Sequence, residues 1–373
     1  MKIVLAPDKF KNSLTGMAFC QAVEAGIHAV NPDIDILKLP LADGGDGTIE
    51  VVNFYLNGRV VEVDVSNPFF EPIKANYLFA EASKTAFIEM AEASGLKLLK
   101  RKDFDCKNAT TLGTGDMILD ALNKGARTII LGIGGSATND CGIGMATALG
   151  YRFLDEKGKE VVPTGFNLLN ITSIDATNVH PNISEVNFKI ACDVTNPLYG
   201  EDGAAYIYAT QKGAKARDVI LLDDGLKSFA KILQSIFGVD AQSIQGAGAA
   251  GGMGIASKVF LNGTLERGIE LIKDLAQFDK QVHDADWIIT GEGKLDTQTM
   301  SGKTIQGVLS SAKVKQIKIA AFCGAIDLDG KDAKDFGIEY TDAVINYAEN
   351  LNDAMKNSYG YVEKIATTFA KQL

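Results

Sequence analysis

Cysteine, histidine and long apolar runs are all scarce in this chain. Its five cysteines (Cys20, Cys106, Cys141, Cys192 and Cys323) are scattered, odd in number and lack a Cys-x-x-Cys pair, which argues against a disulfide framework and fits a reduced, cytoplasmic compartment. Only 3 histidines occur, none at metal-ligand spacing and none beside a cysteine, so zinc chemistry and a Cys–His nucleophile have no support. His28, His180 and His283 read as structural or surface residues. No stretch approaches the roughly 18 uncharged apolar residues of a membrane span, and Met1 runs straight into a strand-like segment, so neither a membrane span nor a signal peptide is expected. Positive charge is also in deficit: 37 Lys and Arg against 47 Asp and Glu leave a net −10, an unfavourable field for nucleic acid or anionic lipid. What remains is a chain of 373 residues, 46% apolar, the profile of a globular protein. At about 150 residues per domain it is long enough for two.

Short β-branched runs ending at Gly, Asp or Pro alternate with helical stretches, the pattern of βα units and parallel sheet. Residues 2–6 read as a strand, 14–30 as a helix capped by Ser13 or Thr15, and 34–39 as the next strand. The rhythm returns near the C-terminus, with strands at 287–290, 317–323 and 343–346 and helices at 301–313 and 351–373. The two ends together supply five buried-type strands, enough for one doubly wound, flavodoxin-like α/β domain built from 1–60 and 265–373. Between them, alternating segments at 60–65 and 74–79 mark 61–264 as an inserted domain with a mixed sheet. A cleft between the two domains is the expected active site.

Five glycine-rich polar loops stand out, most of them where a predicted strand ends, which is where open α/β sheets place their ligands. The loop 6–13 offers Asp8, Lys11 and Ser13 ahead of a helix N-terminus, although Asp8 and Ser13 also suit turn capping. The loop 41–48 sets Asp43 and Asp46 among Gly44, Gly45 and Gly47, more glycine than a turn requires. The loop 132–140 contains Gly134, Gly135, Ser136, Thr138, Asn139 and Asp140, and its first positions match G-x-G-x-x-A with Asp155 downstream, a dinucleotide fingerprint. The fourth loop carries Asp193 and Asn196 after an apolar run, and the fifth carries Gly291, Glu292, Lys294 and Asp296. Beyond it, Lys303 lies in Ser301-Gly302-Lys303-Thr304, which resembles the end of a P-loop, but Thr297 stands where that motif needs Gly. The tract 246–254, rich in Gly and Ala, suits either a hinge or a loop close to phosphate.

Carboxylates, lysines and anion-binding loops without Cys or His nucleophiles suit phosphoryl transfer with Mg²⁺. Two other readings stay open: an NAD-dependent hydroxy-acid dehydrogenase using 132–137, and a non-catalytic clamp for a small anion.

Taken together, Ala6-Pro7-Asp8-Lys9-Phe10-Lys11, Ala42-Asp43-Gly44-Gly45-Asp46-Gly47-Thr48, Gly134-Gly135-Ser136-Ala137-Thr138-Asn139-Asp140, Cys192-Asp193-Val194-Thr195-Asn196-Pro197-Leu198 and Gly291-Glu292-Gly293-Lys294-Leu295-Asp296 resemble the bacterial type 1 glycerate kinases. The resemblance runs in order from residue 6 to about 307. It implies cytoplasmic, ATP-dependent phosphorylation of D-glycerate to 2-phosphoglycerate, with 3-phosphoglycerate as the alternative product. Lys9, Asn12, Asp46 and Cys141 depart from that family's usual residues; Asn12 tolerates the backbone conformation Gly often supplies, whereas Cys141 adds a side chain where close approach was assumed. On this reading Lys11 and loop N–H groups meet the glycerate carboxylate, Asp43, Glu292 or Asp296 face Mg²⁺ and the ATP phosphates, and Asp193 orients or deprotonates the attacking hydroxyl. Nucleic acid and membrane are not expected partners.

Overall fold

The computed structural model describes residues 1–43, 48–296 and 304–373. They divide into a discontinuous unit, Met1–Tyr55 with Gly268–Leu373, and an inserted unit, Leu56–Arg267. The first junction falls where the helix Thr48–Leu56 gives way to the strand Arg59–Ser66, so the passage lies a few residues before the expected position 60.

In the discontinuous unit five parallel strands lie in the order Asp35–Lys38, Lys2–Leu5, Trp287–Thr290, Lys318–Cys323 and Tyr340–Ala343. Numbered along the chain this is 2-1-3-4-5, the flavodoxin-like order. The central strands are buried on both faces, as Ile3, Val4, Leu5, Ile288 and Ile289 are fully inaccessible, which accounts for their near-continuous apolar runs. Helices Gly16–His28 and Ser358–Ala370 pack so closely that a Cβ on Gly26 would lie 2.3 Å from the Glu363 carbonyl. Phe19, Phe322 and Phe369 join the helices to the sheet, their rings 6.4 and 5.6 Å apart in succession.

Two expectations at this end need correction. The last strand is Tyr340–Ala343 and residues Val344–Asn346 form a 3-10 turn. It is an edge strand, so its polar Thr341 and Asp342 concealed it. The closing helix is two helices, Leu351–Lys356 and Ser358–Ala370, broken at Asn357, whose side chain donates to Asp353 Oδ1 at 2.6 Å.

The inserted unit holds a six-stranded mixed sheet. Thr264–Glu266, Asn187–Ala191, Thr128–Gly132 and Thr85–Glu89 run parallel, and Pro72–Ala80 and Arg59–Ser66 complete it antiparallel. The hairpin turn is closed by Asn67, whose Oδ1 accepts from the N–H groups of Phe69 and Glu71 at 2.8 and 3.0 Å. Leu112–Asn123, Ile143–Ala148, Ala216–Phe237 and Ala249–Phe260 are its main helices. Among the described residues no helix is long and apolar enough to cross a membrane, and all five cysteines are free.

Candidate active site

Within the discontinuous unit, the loop after Lys2–Leu5 continues beside the strand Trp287–Thr290: Ala6 N–H donates to the Ile289 carbonyl and Asp8 N–H to the Gly291 carbonyl, both at 2.8 Å. This ladder sets Asp8 at the carboxyl edge of the sheet against the Gly291–Asp296 loop. The chain then folds into a tight turn, Phe10 to Leu14, with Asn12 at φ 60°, the left-handed conformation expected to be tolerated there. Thr15, not Ser13, caps the following helix by accepting from Ala18 N–H at 3.1 Å. The Ser13 hydroxyl instead faces the C-terminal helices, 2.7 Å from the Met355 carbonyl and 2.8 Å from Ser358 Oγ.

Asp8 is the electrostatically distinctive group of this edge. Burial raises its pKa from 3.8 to about 6, and the neighbouring Asp43 pushes the same way. A 2.5 Å hydrogen bond from the Thr304 hydroxyl, the Lys9 N–H at 2.7 Å and the Lys9 charge act in opposition. Glu292 lies one residue beyond the Gly291 carbonyl that Asp8 binds, and Asp296 ends the short strand Lys294–Asp296. Lys11 is exposed; Lys294 is also exposed and pairs with Asp327 at 2.9 Å. Gly291 serves packing, since a Cβ there would lie 2.1 Å from the Phe322 carbonyl. Gly44, Gly45 and Lys303 lie outside the described residues.

The inserted unit presents a second cluster. After the strand Thr128–Gly132, Gly134 and Gly135 form an exposed turn, whereas Ser136, Thr138, Asn139 and Asp140 are buried. No helix opens until Ile143, so residues 132–137 do not make the strand–turn–helix of a dinucleotide fingerprint. Asp155, the acid that reading required, closes its own surface turn by accepting from Lys157 and Lys159 N–H groups at 2.9 Å each.

Asp140 is fully buried and accepts from Thr111 N–H and Oγ at 2.8 Å each and from the Gly142 and Gly144 N–H groups at 3.2 Å. Burial still holds its acidity below that of a free carboxyl group, against the pull of those four donors. Its carboxylate therefore organises the turn. Lys212, which the sequence reading missed, is buried beside it and donates to Ser136 Oγ at 2.6 Å and the Thr138 carbonyl at 2.9 Å. Desolvation lowers its pKa to about 8. Nothing in its local sequence marks it, because it is the tertiary packing that removes its water. Thr138 Oγ and both polar side-chain atoms of Asn139 are buried without a hydrogen-bond partner among the described residues, as befits groups awaiting a ligand or ordered water.

The tract 246–254 is consumed by packing rather than forming a hinge. Ala250, Gly251 and Gly252 are left-handed at the head of the helix Ala249–Phe260, and a Cβ on Gly251 would sit 2.3 Å from the Thr138 carbonyl. Cys141, itself at φ 50°, is fully buried against Gly252. Asp193 is exposed just beyond the strand Asn187–Ala191. Asn196 braces that loop, donating to the Asp202 carbonyl at 2.9 Å and accepting from the Tyr208 hydroxyl at 2.5 Å.

Comparison with known proteins points in one direction. The model of the Glycerate kinase family matches residues 3–373. A glycerate kinase of Bacillus cereus (strain ATCC 10987 / NRS 248) is 41% identical over 370 residues, covering 99% of this chain and 97% of that protein. A glycerate 2-kinase of Escherichia coli (strain K12) is 38% identical over 373 residues, covering 100% and 98%. A crystal structure described as that of a candidate glycerate kinase 2 from Salmonella typhimurium LT2 superposes with a TM-score of 0.90 at 39% identity, covering 100% of this chain and 98% of that one.

Proposed function

The chain belongs to the glycerate kinase family and is a phosphotransferase; from that premise we propose that it transfers the γ-phosphoryl group of ATP to D-glycerate in the cytoplasm, giving 2-phosphoglycerate. The observation that carries the reading is the carboxyl edge of the discontinuous unit, where Asp8, Asp43, the Glu292 loop and Lys11 gather at the ligand-binding end of a flavodoxin-like sheet.

In the reaction a glycerate hydroxyl oxygen bonds to the γ-phosphorus, the bond to the β–γ bridging oxygen breaks, ADP departs, and the hydroxyl proton passes to a carboxylate. Asp193 is one candidate for that carboxylate. Asp8 is the better supported, because a pKa near 6 leaves it ionised at neutral pH yet basic enough to take a proton in the transition state. Lys11 and loop N–H groups would meet the glycerate carboxylate, and the Gly134–Gly135 turn with Ser136, Thr138 and Asn139 would bind anionic oxygens, held in place by Asp140 and Lys212. The hard oxygen donors of Asp43, Glu292 and Asp296 fit Mg²⁺, which arrives on ATP and needs only one or two protein carboxylates. Bound there, Mg²⁺ supplies charge neutralisation on the phosphates.

Incubation with Mg·ATP and D-glycerate, followed by phosphorus NMR, is the direct test. A new phosphomonoester whose proton coupling marks a secondary carbon supports the 2-phosphate, and coupling to a methylene assigns the 3-phosphate instead. No turnover by folded protein refutes the proposal. Comparing Asp8→Asn with Asp193→Asn then assigns the base, as the variant retaining near-normal turnover loses its claim.

A further inference from the structure

Three large apolar side chains remain in water around one depression of the discontinuous unit: Ile345 is 37% exposed, Leu351 68% and Met355 37%. They rim a cavity of about 310 Å³ whose floor includes the buried Phe10 and Val344. Scattered surface leucines need no explanation, whereas these three line a single depression. The volume lies at the small end of ligand pockets, suited to one flat ring system rather than to a whole nucleotide.

The position of the cavity narrows the choice of occupant. Its other wall is made by Lys11, Gly293, Lys294 and Gly324, and so belongs to the same loops that carry Asp8 and Glu292. On that wall Gly293 packs against the preceding loop, where a Cβ would meet Lys11 N at 3.6 Å and Phe10 Cα at 3.8 Å, and with Gly324 it gives the cavity a wall without side chains of its own. Lys11 stands at this side of an otherwise largely carbon-lined cavity, Lys294 being paired with Asp327, so the complementary ligand has an apolar planar end and an anionic end. D-Glycerate has no apolar ring to bury there. ATP has both ends.

We propose that this cavity holds the purine ring of the phosphoryl donor, stacked between the Gly293 backbone and the apolar rim formed by Ile345, Leu351 and Met355, with the phosphates leaving past Lys11 toward Asp8 and Glu292. The proposal rests on the kinase reading and adds to it the location of the nucleotide. It also gives the short helix Leu351–Lys356 a reason to present Leu351 to solvent.

Calorimetric titration of the full chain with ADP and, separately, with inorganic tripolyphosphate tests it. For Leu351→Glu, a mutation at an exposed position, the Kd for ADP is expected to rise at least tenfold while that for tripolyphosphate changes less than twofold. The KM for ATP should rise in parallel and the KM for glycerate should not. Methyl NMR provides a readout independent of mutation: ADP should shift the Ile345 methyl resonances and tripolyphosphate should leave them in place. Unchanged ADP affinity in Leu351→Glu, with an unshifted Ile345, overturns the pocket assignment while leaving a turning-over kinase intact. A shift of Ile345 by glycerate alone assigns the cavity to the acid and likewise overturns it. Wild-type protein that neither binds ADP nor turns over removes the kinase reading and this proposal together.

Discussion

Replacing Asp8 by Asn should make the protein more stable and nearly inactive, and the two effects have one cause. Burial and Asp43 raise the Asp8 pKa from 3.8 to about 6, so the ionised carboxylate is about 3 kcal/mol less favourable in the folded protein than in the unfolded chain. The sign follows from proton binding. Between pH 4 and 6 the folded state holds a proton that the unfolded state has released, so the contribution of Asp8 to stability is intact below about pH 4, falls as pH rises through 6, and is flat above. Asn carries no charge and escapes this cost, but its amide cannot satisfy both the Thr304 hydroxyl and the Lys9 N–H as the carboxylate does, a loss of about 1 to 2 kcal/mol. The variant is therefore expected to exceed the wild type by about 1 to 2 kcal/mol at pH 7.5 and to lose that advantage by pH 4. Urea unfolding at the two pH values measures this directly. Turnover should fall by about 10² or more, the usual contribution of a general base, and wild-type kcat/KM should decline below about pH 6. A variant no more stable at pH 7.5 than at pH 4, relative to the wild type, would refute the burial argument; near-normal turnover would refute the catalytic one.

Lys212→Met should keep the fold by circular dichroism yet lower kcat/KM at least tenfold, because Ser136 and the Thr138 carbonyl lose their shared donor. The folded pKa of about 8 lies below the ordinary lysine value, so the wild type should gain stability between pH 8 and 10 and the Met variant should not; equal slopes in denaturant titrations would show that the ammonium is not desolvated. Gly251→Ala places a methyl group 2.3 Å from the Thr138 carbonyl at φ 74°, and a loss of about 2 kcal/mol or more, with activity falling alongside, is expected on thermal melting. Burial raises the pKa of Cys20 to about 12 and of Cys106 to about 11, and those of Cys141 and Cys323 higher still, so a thiol reagent should modify at most the half-buried Cys192 rapidly in the native protein, with all five reacting in denaturant.

Much of the architecture was legible from local pattern. The apolar runs at 2–6, 287–290 and 317–323 are near-continuous because their strands are covered on both faces, and that composition is visible residue by residue. The alternation at 60–65 and 74–79 likewise pointed to a mixed sheet, in which these two segments pair antiparallel. The edge strand Tyr340–Ala343 escaped because an edge needs fewer apolar residues, and the break at Asn357 escaped because the apolar periodicity continues through it.

The loops that follow the strands were set by the sequence, since glycine, asparagine and aspartate impose turn geometry within a few residues of themselves. Their roles were not. Asp140 read as a ligand-binding residue and accepts from Thr111, Gly142 and Gly144; Ser13 read as a possible cap and contacts Met355 and Ser358; the glycines at 251 and 252 suited either a hinge or a loop close to phosphate and are wedged against Thr138 and Cys141. Asp8 owes its raised pKa to burial and to Asp43, against the hydroxyl of Thr304 nearly 300 residues away along the chain, and Lys212 owes its lowered one to the burial that tertiary packing imposes. Backbone propensity and hydrophobic period act over a turn or two of chain, so sequence determines where elements and loops begin. Desolvation and hydrogen-bond satisfaction depend on which distant segment packs against each group, so only the tertiary structure decides which polar residues brace the fold and which stay available to a ligand.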